Sequence, residues 1–164
     1  LQRTSQALPF IEPRLYQMHS LRGFWLLLLP WRNVAAVLYV LSALVILGLA
    51  VLCWRKSDAP ALRYASFLIA TVLVAPHLMV YDLVILAPAF LLLGNWTLEH
   101  GQALAVPALR VFLYICYALP LLEPLAKFSH VQFSVVGLVA LQGVIWQAIM
   151  EDQSRSWQAS MAAT

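Results

Sequence analysis

From Asn33 to Trp54 the chain runs without a charged residue, and Arg55-Lys56 closes the run. A helix of that length rises about 33 Å, enough to cross a hydrocarbon core of about 30 Å. Trp31 and Trp54 bracket the run where the headgroups of a bilayer would lie. The rest of the chain has the same character: 63% of residues are hydrophobic and 10% are charged, against about a quarter charged in a soluble domain. The expected class is all-α, a polytopic transmembrane helical bundle folded as a single domain, of about five spans plus one interfacial helix.

The charge balance excludes other classes. A net charge of +3 is small and scattered, and no Lys/Arg-rich run with interleaved aromatics appears. No nucleic-acid partner is therefore expected. Cys53 and Cys116 lie in apolar segments and read as buried hydrophobes rather than a disulfide or metal pair.

The spans expected are residues 33–54, 62–76, 80–94, 104–122 and 131–150, with an outer loop and interfacial helix over 1–32 and a short polar tail over 151–164. Leu21–Leu29, closed by Pro30, is too short to cross, since nine helical residues rise about 14 Å. The basic cluster Arg55, Lys56 and Arg63 places the turn at Ser57-Asp58-Ala59-Pro60 in the cytoplasm. Arg3, Arg14, Arg22 and Arg32 then lie on the outer side, against the simple charge rule, which leaves the reversed topology open. Gly94–Gly101 reads as a second cytoplasmic turn, where the Asn95-Trp96-Thr97 sequon would be inert. Arg110 reads as a snorkelling side chain. Gln142 and Gln147 are expected to hydrogen-bond to neighbouring helices. The first residue is Leu1, with no apolar signal-type core after it. The expectation is the C-terminal part of a larger protein.

Two polar stretches interrupt the hydrocarbon. The first is Ala75-Pro76-His77-Leu78-Met79-Val80-Tyr81-Asp82. Pro76 breaks the entering helix by removing a donor and clashing with the preceding turn. A histidine and an aspartate follow at membrane depth, where ionisable groups face a protein interior or a wet cavity. His77, Tyr81 and Asp82 can form a polar cluster for an anionic or sugar ligand. The plainer roles are a satisfied interior histidine, a packing tyrosine, and Asp82 as the cap of the helix that follows.

The second stretch is Met18-His19-Ser20-Leu21-Arg22-Gly23. Hydroxyl and backbone N–H groups at a helix start suit an anion, and the fork of Arg22 suits a phosphate. Taken alone, Arg22 could equally anchor an interfacial helix to lipid headgroups. The four histidines fall on separate segments, and no P-loop, dinucleotide fingerprint, HExxH, CxxC or GxSxG appears.

Pro76-His77-Leu78 followed by Tyr81-Asp82-Leu83, with an apolar run to Pro88, resembles the S-P-H-L-x-x-Y-D-L pattern of glycosyltransferase family 87. Ala75 stands where the family has serine. Met18–Gly23 resembles that family's H-S-L-R-G segment, in the same order and separation. The resemblance covers about residues 15–95. It implies a GT-C-type membrane enzyme that moves a hexose, mannose in the typical members, from a polyprenyl-phosphate carrier to a lipid or glycan acceptor on the extracytoplasmic side of the plasma membrane. It implies no cofactor, because the donor carries its own activation. It places His77 and Asp82, with Tyr81, near the donor sugar or phosphate, and makes Arg22, His19 and Ser20 candidate phosphate partners. The general base would belong to an N-terminal outer loop outside this chain, so residues 1–164 would be inactive alone. The alternative is a transporter or flippase, whose discontinuous helices would line a substrate site around the Pro76 break.

Overall fold

The computed structural model describes residues 18–77, 80–101, 103–119, 129 and 131–162; among residues 80–82 only the backbone is described. Among the described residues there are six α-helices and one 3₁₀ segment. They are α1 (Leu21–Leu28), α2 (Arg32–Lys56), α3 (Pro60–Val74), a 3₁₀ turn (Val80–Ile85), α4 (Leu86–Glu99), α5 (Ala105–Ala118) and α6 (Phe133–Ala162). The architecture is all-helical. Two helices, α2 and α6 from Phe133 to Arg155, are long and apolar enough to cross a membrane. The other apolar helices are shorter, at 10–17 residues.

Helix α3 lies at the centre, packed on α2, α4, α6 and the 3₁₀ segment. Its buried residues Leu62, Ala65, Ser66, Ile69, Ala70, Val72 and Leu73 form a wide face, broader than a single contact stripe, while Tyr64, Phe67 and Thr71 on the opposite side are exposed. Helix α6 instead buries a stripe, Val135, Leu138, Leu141, Ile145, Ala148 and Ile149, at the three- and four-residue spacing of one face. Helix α2 buries only Ala35, Ala43, Ile46, Ala50 and Cys53. Its other face, including Val37, Leu41, Leu44 and Val45, is exposed hydrocarbon. Cys53 and Cys116 are free and buried. Inside the core, Gln142 Nε2 donates to Ser66 Oγ at 2.6 Å. This joins α6 to α3 with a polar bond where packing alone gives little direction. Gln147, in contrast, is exposed because it falls outside the buried stripe of α6.

The helix ends follow local chemistry. Pro60 opens α3 in its first turn, where its missing N–H has no intrahelical partner to lose. Before it, the Ala59 N–H donates to Ser57 Oγ at 3.2 Å, and Arg63 donates to the Ser57 carbonyl. Helix α3 ends at Val74, as the break at Pro76 predicts.

Two segments depart from expectation. The turn predicted at Gly94–Gly101 is helical through Glu99. Trp96 continues the buried row Leu86, Ala89 and Leu93, and Asn95 Nδ2 donates to Glu99 Oε1 one turn on, at 2.7 Å. The apolar period therefore outlasts the polar residues read as a turn. His100 closes the helix, its ring stacked on Trp96 at 4.6 Å. The sequon Asn95 thus lies within α4.

The tail from Glu151, predicted to fray, continues α6 to Ala162. Glu151 accepts from the N–H groups of Leu104 and Ala105, at 2.8 and 3.0 Å, and from Arg155 at 2.6 Å. It supplies from another helix the cap that α5 lacks, since Leu104 makes no side-chain capping bond. Gln153 Nε2 donates to the Lys56 carbonyl at 2.6 Å, tying the same segment to the end of α2. Glu151→Ala is expected to destabilise the protein by about 0.5–2 kcal/mol and to accelerate amide hydrogen exchange at Leu104 and Ala105. Unchanged exchange at those two amides would remove the capping role.

Candidate functional site: a basic cavity between the first two helices

Helix α1 is built to be rigid at its start. Ser20 is its N-cap, its Oγ accepting from the Gly23 N–H at 3.3 Å. Gly23 is buried against the backbone of Met18. A Cβ there would stand 2.7 Å from the Met18 carbonyl oxygen and 2.8 Å from Met18 Cβ. Only glycine lets the chain double back this closely. His19 is buried, with Nδ1 2.7 Å from Ser134 Oγ at the start of α6. Ser20 and His19 therefore fasten the stretch, one to its own helix and one to α6.

That anchoring sets the direction of Arg22. Its Nη1 lies 3.1 Å from His77 Nε2 and 3.5 Å from His77 Nδ1. A guanidinium has no acceptor, so Arg22 donates and the accepting ring nitrogen carries no proton in this contact. The two polar stretches, fifty-five residues apart in the chain, thus meet at one end of the bundle. His77 is exposed on the turn after α3. Tyr39 of α2 fixes that turn from below: its hydroxyl donates to the Val74 carbonyl at 2.7 Å, occupying an acceptor that the helix end leaves open.

Arg22 also lines a cavity of about 200 Å³ with Leu26 of α1 and Arg32, Ala35, Ala36 and Tyr39 of α2. Neither arginine has a carboxylate partner among the described residues. Two guanidinium groups without a described carboxylate partner on one concavity produce a positive potential that favours an anion, and the forked donors favour phosphate or carboxylate. On the other side of α1, Leu21, Phe24 and Trp25 line an apolar cavity of about 380 Å³ with Ser42, Ile46 and Val135 among its walls. Trp25 Nε1 donates to Ser42 Oγ there at 3.1 Å. Helix α1 thus separates a cationic space from a hydrocarbon-lined one.

Of the residues singled out in the sequence, Arg22 and His77 come together. His19 and Ser20 support them from behind and do not line the cavity. Asp82 does not cap α4: it lies in the 3₁₀ segment, and α4 begins at Leu86 after Ile85. The side chains of Tyr81 and Asp82, together with Leu78 and Met79, lie outside the described residues. Arg110 is exposed as expected, but also donates to the Thr97 carbonyl of α4 at 3.3 Å. Arg32 and Tyr39 were not singled out, although the signal existed. Arg32, Ala36 and Tyr39 are four and three residues apart, the spacing of one helix face, but the strong apolar run conceals the stripe. No group of three or more His, Cys, Asp or Glu side chains that could hold a metal occurs among the described residues.

No family model, no curated protein and no solved structure matches this chain.

Proposed function

We propose that this chain is part of an integral membrane glycosyltransferase of the family 87 kind, which transfers a hexose from a polyprenyl-phosphate carrier to a lipid or glycan acceptor. The observation that carries the proposal is the contact between Arg22 and His77. Each belongs to one of the two motifs that resemble that family, and the fold brings the two motifs together. The site chemistry agrees: a lipid-phosphate donor presents an anion, and Arg22, which meets His77, shares its cavity with a second arginine, Arg32, that has no ion pair among the described residues.

In the reaction, an acceptor hydroxyl attacks the anomeric carbon, the carbon–oxygen bond to phosphate breaks, and the hydroxyl proton passes to a general base. The lipid phosphate leaves with the bonding electron pair. Arg22 stabilises the charge that develops on it, as a fixed donor in a site that need not reorganise. His77 accepts from Arg22 at one ring nitrogen, and the N–H of its other ring nitrogen is a second donor for the leaving phosphate.

The membrane assignment rests on α2. Its uncovered face of valine and leucine would be costly in water, at about 25 cal/mol per Å², and costs nothing against lipid tails. Trp31 and Trp54 at its two ends are 66% and 43% exposed, as interfacial anchors would be. With α2 crossing, Arg22 and His77 lie together at its Arg32 end, opposite the basic turn Arg55-Lys56. The cluster Arg55, Lys56 and Arg63 at the other end favours an extracytoplasmic face for the site, as the family resemblance also implies.

The test uses the intact protein in proteoliposomes, polyprenyl-phosphate mannose labelled in the sugar, and a membrane lipid extract as acceptor. Label appearing on a new product is the expected outcome. Label that stays on its carrier but crosses the bilayer would replace the transferase with a flippase, a reading that the helix break between Val74 and Leu86 also suits.

A further inference from the structure

We propose that Arg32 is a second phosphate-binding residue of this site, so that the cavity between α1 and α2 seats a phosphate group between two arginines. The proposal deepens the lipid-phosphate reading above and rests on it for the identity of the ester, but not for the seat itself. Arg32 belongs to neither motif. It opens α2, is exposed, and makes no ion pair among the described residues. It nevertheless lines the same cavity as Arg22, which a headgroup anchor pointing into the bulk interface would not do.

The cavity between the two arginines exists because the intervening side chains are small. Ala35 is buried at the back and Ala36 sits at the mouth. Leucine at either position would fill the space that these methyl groups leave. The volume of about 200 Å³ is far above the ~15 Å³ that a single water requires, room for a phosphate group and the first atoms of its ester. Tyr39 forms the far wall, but its hydroxyl hydrogen is already committed to the Val74 carbonyl. The donors free for an anion are therefore the guanidinium groups. Arg22 spends one nitrogen on His77 and retains the others, whereas Arg32 has its whole fork available. Two forks on one phosphate are worth far more than a point charge, because each can donate two parallel hydrogen bonds.

The phosphate can belong to a lipid or be free, and the experiment separates the two. The intact protein in detergent is titrated with dodecyl phosphate and, separately, with inorganic phosphate, and binding is followed by ³¹P NMR. Neither probe carries a sugar, so the result does not depend on whether the protein is a transferase. Saturable binding is expected, weakened about tenfold or more in Arg32→Gln and less in Arg32→Lys, which keeps the charge but not the fork. Ala36→Leu, which removes no charge and alters an exposed position, is expected to weaken it as much by filling the seat. Arg55→Gln, the same charge change at the opposite end of α2, is expected to leave it unchanged. Preference for dodecyl over inorganic phosphate assigns the seat to a lipid phosphate; equal affinity assigns it to free phosphate. Wild-type binding in both Arg32→Gln and Ala36→Leu, with far-UV circular dichroism showing intact helix, would overturn the proposal. So would an equal loss in Arg55→Gln, which would reduce the effect to net charge.

Discussion

Replacing His77 by alanine in the intact protein is expected to lower the rate of sugar transfer by about 10²–10³-fold, the usual cost of removing one donor from a preorganised anion site. Expression and helical content are expected to be unchanged. His77 is exposed on the turn between α3 and the 3₁₀ segment, so its loss opens no core cavity, and surface substitutions of this kind shift stability by about 0.5 kcal/mol or less. The described hydrogen bonds of His77 are to Arg22 alone. Freed from that contact, Arg22 keeps its charge and its anchored helix, and phosphate binding should fall less than turnover. A drop in kcat larger than the rise in KM is thus the signature of a donor acting on the leaving phosphate. Full activity in His77→Ala would remove His77 from the site and leave Arg22 as a structural anchor.

The second large effect is expected at Gly23. An alanine there puts a methyl 2.7 Å from the Met18 carbonyl oxygen, a separation that the backbone can relieve only by moving α1 away from Met18. Overpacking of this kind costs about 1–3 kcal/mol. It also displaces Arg22, the residue before it, from His77 and from the cavity. Gly23→Ala should therefore lower the melting temperature in detergent and abolish phosphate binding together, whereas Arg22→Gln should lose binding with little change in melting. Gly143 is the control. It lies in α6 with nothing within 4 Å of an added Cβ, and alanine there should be neutral or stabilise the helix by about 0.5–1 kcal/mol. If both glycine variants melt alike, the close approach at Met18 is not what holds α1 in place.

Much of the local structure could be read from residue order. The uncharged run after Asn33, the turn that ends at Pro60, Ser20 before α1 and the break at Pro76 are each decided by residues within one or two helical turns. Their consequences therefore appear in a short window of sequence. The same holds for Arg22 and His77 as the residues most suited to chemistry, because an ionisable group in an apolar run stands out without any fold. What the tertiary structure decided are the facts that depend on closing long loops. It brought Arg22 to His77 across fifty-five residues and His19 to Ser134 across one hundred and fifteen. It turned Arg32 and Tyr39 toward the same cavity. It extended α4 by burying Trp96, and it kept α6 helical past Met150 because Glu151 found the open N–H groups of α5. Periodicity reports which face of a helix is apolar but not what that face meets. Which polar groups become partners is decided when the helices pack.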